Sequence, residues 1–409
     1  MRTITRLLFA TTLVTLFFLA PAVGDESETR IALLSGEAYR GIRIVAVSGT
    51  TLTFETADGR SKATDLDKLV GVSFRDARPS SGPPGRRDVE VRFRGGDVLR
   101  GTLLPGEDEE ISIESPLVGD LAFPVDEVRE IRFARAWREA VEKPAPETGE
   151  QDLDVFYYGN LDRVSGTFLR VTSGHIHIHG RGQNSDLPVA FENLMAIRFA
   201  DFPAPEKTRE RLAILLLVDG SRLTVKNLTS AGTSLRAVTE RGRPLEVEMS
   251  ALVAIYMQGG GFEYLSDLKP AASEIVPWLG EAHAWDRPRF DRSFLDGPLR
   301  SGGQTFLKGI GVISGTSLTW ALDGEFKRFT SRIALDDRAG AEGDVVFEVF
   351  VDGKSRFKSK TVGALEPGDA PYRIEPIDIE GAREIKLTVR YVDDFVRDFA
   401  NWIEPMLIR

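Results

Sequence analysis

One pattern recurs four times between residues 35 and 257, and this repetition restricts what the chain can fold into. Ser35-Gly-Glu-Ala-Tyr-Arg-Gly41 matches Gly95-Gly-Asp-Val-Leu-Arg-Gly101: a turn glycine, an acidic residue, then Arg-Gly. Alternating apolar positions follow, and each copy closes on an apolar–x–aromatic strand, Val72-Ser-Phe74 and Ile131-Arg-Phe133. A third copy runs from Tyr158-Gly-Asn160 through Ser165-Gly166 to Ile197-Arg-Phe199. The fourth runs from Asp219-Gly-Ser221 to Ile255-Tyr-Met257, with Val225 in place of the second glycine. Each copy is a unit of roughly 45–50 residues.

The chemistry between the units agrees with these boundaries. Arg78-Pro-Ser-Ser-Gly-Pro-Pro-Gly85 sustains neither helix nor central strand, because proline lacks a donor and glycine adds backbone freedom. Pro144-Ala-Pro-Glu-Thr-Gly149, Pro203-Ala-Pro205 and Gly259-Gly-Gly261 play the same part. Inside the units, Thr51–Glu55, Glu110–Glu114 and Leu245–Met249 alternate with period two, the signature of half-buried strands. The expectation is four small β repeats over 25–77, 86–141, 151–202 and 210–260, each closing into a five-stranded SH3-like or Sm-like barrel. Closure would hide edges that otherwise pair with other chains. Helix is scarce, with Ala134–Lys143 the best candidate.

Residues 1–24 read as a secretory signal: Arg2 and Arg6, an apolar run from Leu7 to Ala20, then small residues at Ala22 and Gly24 before Asp25. The run is short for a bilayer core of about 30 Å, which favours cleavage over a retained anchor. The expected location is therefore secreted, periplasmic or cell-surface, with no membrane span after cleavage. The chain has no cysteine, which excludes disulfides, thiolate metal sites, a cysteine nucleophile and lipoprotein acylation. Its net charge of −10, without a long basic cluster, argues against nucleic acid as a partner.

Residues 263–409 carry longer strands. Gly343–Gly353 alternates Val345, Phe347, Val349 and Val351 and ends on Asp352-Gly353, a hairpin signal. Glu384–Tyr391 alternates likewise, so the unit reads as a β-sandwich. Five ordered segments carry a resemblance: Tyr264–Leu268, Leu307–Trp320, Ala334–Gly340, Gly343–Gly353 and Asp398–Trp402 with Glu404-Pro405. They resemble the NPCBM family of carbohydrate-binding modules. The resemblance implies a galactose-binding-like jelly-roll sandwich and a glycan or cell-surface polysaccharide as partner. Where the family has a histidine after Lys-Gly-Ile-Gly-Val, this chain has Ile313. Where the family ends Asp-His-Ala-Asp-Trp, it has Phe399 and Asn401. Two polar ring donors have become apolar.

Sugar recognition needs an aromatic face for the ring's C–H side and planar polar groups for adjacent hydroxyls. Trp402, Asn401 and Asp398 sit together near the C-terminal strand, Lys308 belongs to the shared motif, and Trp278, Trp285 and Asp286 could form a loop wall. The competing reading makes Trp402 a plug between the sheets and Asp398 a turn cap. Asp336, Asp337 and Asp344 lie on a glycine-bearing loop that could offer Ca²⁺ some of its six to eight oxygens, against a solvated turn paired with Arg338 and Arg332. A structural Ca²⁺ is the one cofactor the sequence suggests. His175, His177 and His179 share one strand face; the reading favoured over a Zn²⁺ site is the wet side of a hairpin.

The adjacent acids Asp336/Asp337 and Asp393/Asp394 point to opposite strand faces and cannot flank a glycosidic bond as matched acid and base. No nucleophile elbow, phosphate loop or dinucleotide fingerprint occurs. The expectation is a secreted, non-catalytic protein presenting a carbohydrate-binding-like module, for galactose-type or related glycans, on a repeat scaffold. The alternative is a structural or adhesion protein that makes protein contacts, for instance with other exported proteins, and binds no sugar.

Overall fold

Alternation along each short segment folds as strand, and the repeats share one hydrogen-bonding plan. The computed structural model describes residues 29–74, 88–106, 109–133, 153–159, 162–180, 186–201, 210–278, 280 and 286–409. The segment 1–24 expected to be a signal, the helix expected over Ala134–Lys143, the three proline-bearing linkers and Trp285 lie outside the described residues.

Repeat 2 shows the plan in Asp88–Phe93, Val98–Leu104, Glu110–Ser115, Gly119–Pro124 and Val128–Phe133. The strands pair in the order fifth, first, second, third, fourth, and a 3-10 turn over Val125–Glu127 joins the fourth to the fifth. Repeat 3 follows it from Asp154–Tyr158 to Leu194–Arg198, and repeat 4 from Leu212–Leu217 to Leu252–Gln258. In repeat 1 the second strand is broken into Ala38–Arg40 and Arg43–Ser48 at Gly41, whose φ is +62°. The repeated glycine has a steric reason where the second strand crosses the third. A Cβ on Gly101 would lie 2.3 Å from the Glu114 carbonyl oxygen, and one on Gly166 would lie 2.6 Å from that of His179.

Among the described residues the fourth and fifth strands share no ladder, so the hydrogen-bonded ring of each barrel is incomplete. The edge of each fifth strand is covered by another repeat instead. The fifth strand of repeat 1 (Leu69–Ser73) pairs antiparallel with the fifth of repeat 4, Val72 opposite Ile255. The fifth strands of repeats 2 and 3 pair likewise, Ile131 opposite Ile197. These four residues are the first positions of the closing motifs, three apolar–x–aromatic and the fourth Ile255-Tyr-Met257, so each motif meets its own copy in register. Gly71 admits the close approach, since a Cβ there would sit 2.7 Å from the Ile255 carbonyl oxygen.

Repeats 2 and 4 meet through their first turns. Half-buried Asp97 accepts the Thr224 N–H at 2.9 Å and the Thr224 hydroxyl at 2.7 Å. In return Ser221 Oγ accepts the Arg100 N–H at 3.0 Å. The guanidiniums are exchanged too, Arg222 donating to the Gly96 carbonyl and Arg100 to that of Asp219. One apolar core runs through all four repeats and takes in Phe262, Tyr264, Met406 and Ile408 of the C-terminal unit.

That unit is a two-sheet sandwich. One sheet orders Arg289–Phe290, Gly309–Ile313, Phe399–Ile408, Arg328–Leu335 and Tyr372–Arg373, with Phe262–Tyr264 added on Phe399–Ile408. The other orders Ala272–Ile275, Thr316–Ala321, Glu384–Tyr391, Val345–Val351 and Lys354–Lys358. Trp320, Phe329, Phe347, Leu387 and Trp402 fill the space between them. On His175–Gly180 the burial alternates as expected, with His175 and His179 exposed, Ile176 and Ile178 buried, and His177 Nε2 3.2 Å from the Thr172 hydroxyl.

Asp97 is the point at which the contact between repeats 2 and 4 can be tested. Asp97→Ala orphans the Thr224 donors and is expected to cost about 1–3 kcal/mol, read as a lower urea midpoint. Burial pushes the Asp97 carboxyl above its ordinary range, against the Thr224 bonds. Its protonated form therefore favours the folded state, and that contribution is lost as pH rises through the raised folded value. Asp97→Asn should keep the midpoint near wild type and remove this part of the pH dependence.

Candidate functional site

Four loop segments gather at one end of the sandwich. They are the chain beyond Ala272–Ile275, the Ser314–Gly315 turn, the segment 336–344 after Arg328–Leu335, and 392–398 between Glu384–Tyr391 and Phe399–Ile408. Strand register fixes their neighbours. Ile313 lies opposite Phe399 at this end, and Val345 opposite Tyr391. The two positions where the family carries histidine are therefore cross-strand partners. Phe294 stacks on Phe399 with ring centroids 5.9 Å apart, so the pair and its neighbour form an apolar patch.

The aromatic groups facing solvent here are not those of the motif. Trp278 is 47% exposed and meets the Tyr391 ring edge-on at 5.2 Å. The Tyr391 hydroxyl donates to the Val276 carbonyl at 2.5 Å, which fixes this corner. Val276, Leu295, Phe395 and Val396 are also exposed. Carboxylates surround the corner. Desolvation and the neighbouring Asp393 and Asp394 carboxylates raise Asp344 above its ordinary range. Burial, then the nearby Asp398 charge, lifts Tyr391. An open indole face beside acceptor-only carboxylates can stack on a sugar ring and accept hydrogen bonds from its hydroxyls.

The residues expected to contact sugar are placed otherwise. Trp402 is 1% exposed and packs edge-on against Phe347 at 4.9 Å, so it offers no ring face to a ligand. Asn401 is buried on the same strand, and its Nδ2 donates to the Arg300 carbonyl and Ser301 Oγ, each at 3.2 Å. Asp398 is buried and accepts the Asp344 N–H at 3.1 Å. Burial raises its carboxyl above the ordinary range, with the Ser314 hydroxyl and the Asp344 N–H opposing. Lys308 is buried beneath the sheet, its Nζ donating to Asp267 at 2.7 Å and Asp291 at 2.9 Å. Burial opposes its charge, but the two carboxylates outweigh it and hold the ammonium above the ordinary lysine range. The physical reason is that the motif builds the sandwich: Trp402 fills the space between the sheets, while Asn401, Asp398 and Lys308 are taken up by hydrogen bonds to neighbouring segments.

The acids expected to hold Ca²⁺ are likewise engaged separately. Asp336 caps the 3-10 segment Asp337–Glu342, accepting the Arg338 N–H at 3.1 Å and Arg338 Nε at 3.0 Å. Asp337 instead accepts the Gly303 N–H at 3.2 Å. Asp344 lies near Asp393 and Asp394. Among the described residues no three His, Asp or Glu side chains converge as metal ligands, so this donor set does not fit Ca²⁺. Tyr391 was missed in the sequence because it ends an ordinary alternating strand. The available signal was the run Val392-Asp-Asp-Phe-Val-Arg397, which puts apolar residues among charges in a loop.

Comparison with known proteins agrees with the resemblance. Residues 263–408 match the model of the NPCBM/NEW2 domain. This part of the chain is thus similar to that domain. A protein of Renibacterium salmoninarum named "Putative endo-alpha-N-acetylgalactosaminidase" is 29% identical over 247 residues, 58% of this chain. The chain spans 15% of that relative's length. Among solved structures, CBM51-2 with GlcNAc and INT domains from Clostridium perfringens ZmpB is 20% identical, covering 45% of this chain and 40% of that one, with a TM-score of 0.31. CBM51 from Clostridium perfringens GH95 with methyl-galactose is 20% identical, covering 36% of this chain and 99% of that one, with a TM-score of 0.30.

If Trp402 and Lys308 belong to the architecture, their loss must show in stability. Trp402→Ala is expected to cost about 3–5 kcal/mol in equilibrium unfolding. Lys308→Ala, which strands two carboxylates, should cost about 3–5 kcal/mol. Trp278→Ala, at an exposed corner, should stay within about 0.5 kcal/mol of wild type.

Proposed function

We propose, from the NPCBM/NEW2 match over residues 263–408, that the protein is an exported, non-catalytic glycan-binding protein. Its sugar site is the loop end around Trp278 and Tyr391, and the four repeats are its scaffold. The observation that carries the reading is the exposed Trp278 ring set against Tyr391, with the Asp398 and Asp286 carboxylates near that tyrosine, on a module similar to this family. A terminal sugar of galactose type would stack its C–H face on the indole, with carboxylates accepting from its hydroxyls. Such a site binds weakly and gains strength from multivalent display. Export is read from residues 1–24, and the absence of a catalytic role from the lack of matched acids in the sequence.

One observation favours a second reading. Ile313 and Phe399 pair where relatives carry histidine, beside exposed Leu295, Phe395 and Val396. That surface suits contact with another protein, in which case the module would have exchanged sugar for a protein partner.

A glycan array with the full chain decides between them. Sugar binding by wild type that Trp278→Ala weakens about tenfold or more, with unfolding unchanged, supports the first reading. Silence across the array by a folded protein overturns it and leaves protein contact.

A further inference from the structure

A cavity of about 270 Å³ lies between the first and fourth repeats and the outer face of the sandwich, away from the loop end. It approaches the roughly 300 Å³ at which small-ligand sites begin. Its charged lining is Arg30 and Arg40 from repeat 1, with Arg300, Arg332 and Glu404 from the sandwich. Glu404 is engaged by Arg332, which also lies over the Phe306 ring at 5.2 Å. Three arginines then face the cavity with little to neutralise them, in a chain whose net charge is −10.

The repeats supply an internal comparison. Arg30 and Arg40 are direct cross-strand partners. Counted from the turn glycine, the same pair of positions in repeat 2 holds Glu90 and Arg100, which form a salt bridge at 2.8 Å. In repeat 3 the corresponding pair is Val155 and Ser165, and in repeat 4 it is Ile214 and Thr224. Repeat 1 alone sets two like charges opposite each other, an arrangement that destabilises a strand pair. Neither arginine has a carboxylate within salt-bridge distance among the described residues, whereas Arg300 reaches Asp337 only at 3.7 Å. Repeat 1 is also a repeat whose pair of positions opens onto this cavity. An anion seated there would relieve the repulsion and receive charge-assisted donors from two units at once.

We propose that this cavity binds a carboxylate or sulfate group carried on a compact sugar ring, clamped by Arg30 and Arg40 of the first repeat and Arg300 of the sandwich. Gln304 and Thr305 line the same cavity and are placed to meet ring hydroxyls. The anion site stands on these residues alone; that a sugar carries the anion rests on the glycan-binding reading above. Binding would also tie repeat 1 to the module, because the ligand touches both.

Titration calorimetry and thermal unfolding of the full chain test this, with ionic strength held constant by chloride. The probes are inorganic sulfate, methyl glucuronide, galactose 6-sulfate and neutral methyl galactoside. Saturable binding of sulfate and of at least one acidic sugar, with a raised melting temperature, is expected. Arg30→Glu recreates the repeat 2 pair, so it should raise the melting temperature in chloride alone and weaken anion binding about tenfold or more. Arg40→Gln should weaken binding without reversing charge, and Trp278→Ala should leave it intact. No saturable response to any anion, or an unchanged response in Arg30→Glu and Arg40→Gln, overturns the proposal. Sulfate binding without acidic-sugar binding overturns the sugar assignment. Loss of neutral-sugar binding in Trp278→Ala reports on the loop end, so the two sites fail separately.

Discussion

A five-stranded unit of this size cannot close its own hydrogen-bonded ring here, and the remaining architecture follows from what covers its fifth strand. That strand carries a row of unpaired donors and acceptors that would recruit any passing chain. Each repeat covers it with the same strand of another repeat, Val72 opposite Ile255 and Ile131 opposite Ile197. Once these pairs form, the first turns of repeats 2 and 4 are brought together, and Asp97 closes on Thr224. Repeat 1 comes to rest against the sandwich, where Arg373 donates to the Gly36 carbonyl at 2.8 Å. The charged cavity exists because of that placement.

The sandwich divides its labour between interior and rim. Lys308 ties Gly309–Ile313 to Asp267 and Asp291, and Asp267 also receives Gln258 Nε2 at 3.0 Å from the last strand of repeat 4. A buried ammonium between two carboxylates fixes relative position more than it adds stability. Trp402 fixes the spacing of the two sheets in the same way, by volume. The rim is left free to vary, and it is there that the exposed aromatic and the surrounding acids lie.

Strand content was legible because alternation and turn glycines are local properties. Periodicity states which face of a strand is buried, not which strand lies beside it, so the pairing of repeat 1 with 4 and 2 with 3 was hidden. Ile313 and Phe399 were visible as two separate departures, and only register makes them one substitution across a strand pair. Arg30 and Arg40 are ten positions apart in sequence and look like ordinary surface charge until the ladder sets them opposite. The motif residues misdirected the search for a site. Trp402, Asp398 and Lys308 match the family pattern and Asn401 stands at one of its positions, yet all four are buried in the structure, whereas the exposed corner of Trp278 and Tyr391 joins a loop to a strand end that no short motif describes.

The nested pairing of the repeats has a consequence for how the chain reaches its native state. Linear repeat arrays contact only neighbours, so they gain or lose copies freely and fold from any starting point. Here the inner pair, repeats 2 and 3, is adjacent in sequence, while the outer pair joins Val72 to Ile255 across the whole array. Contacts of such long separation form late, after the loop-closure entropy of everything between them has been met. An extra copy inserted between them would leave one fifth strand without a counterpart. Pairing of fifth strands thus calls for an even number of copies, and the nesting ties the first and last of them directly together.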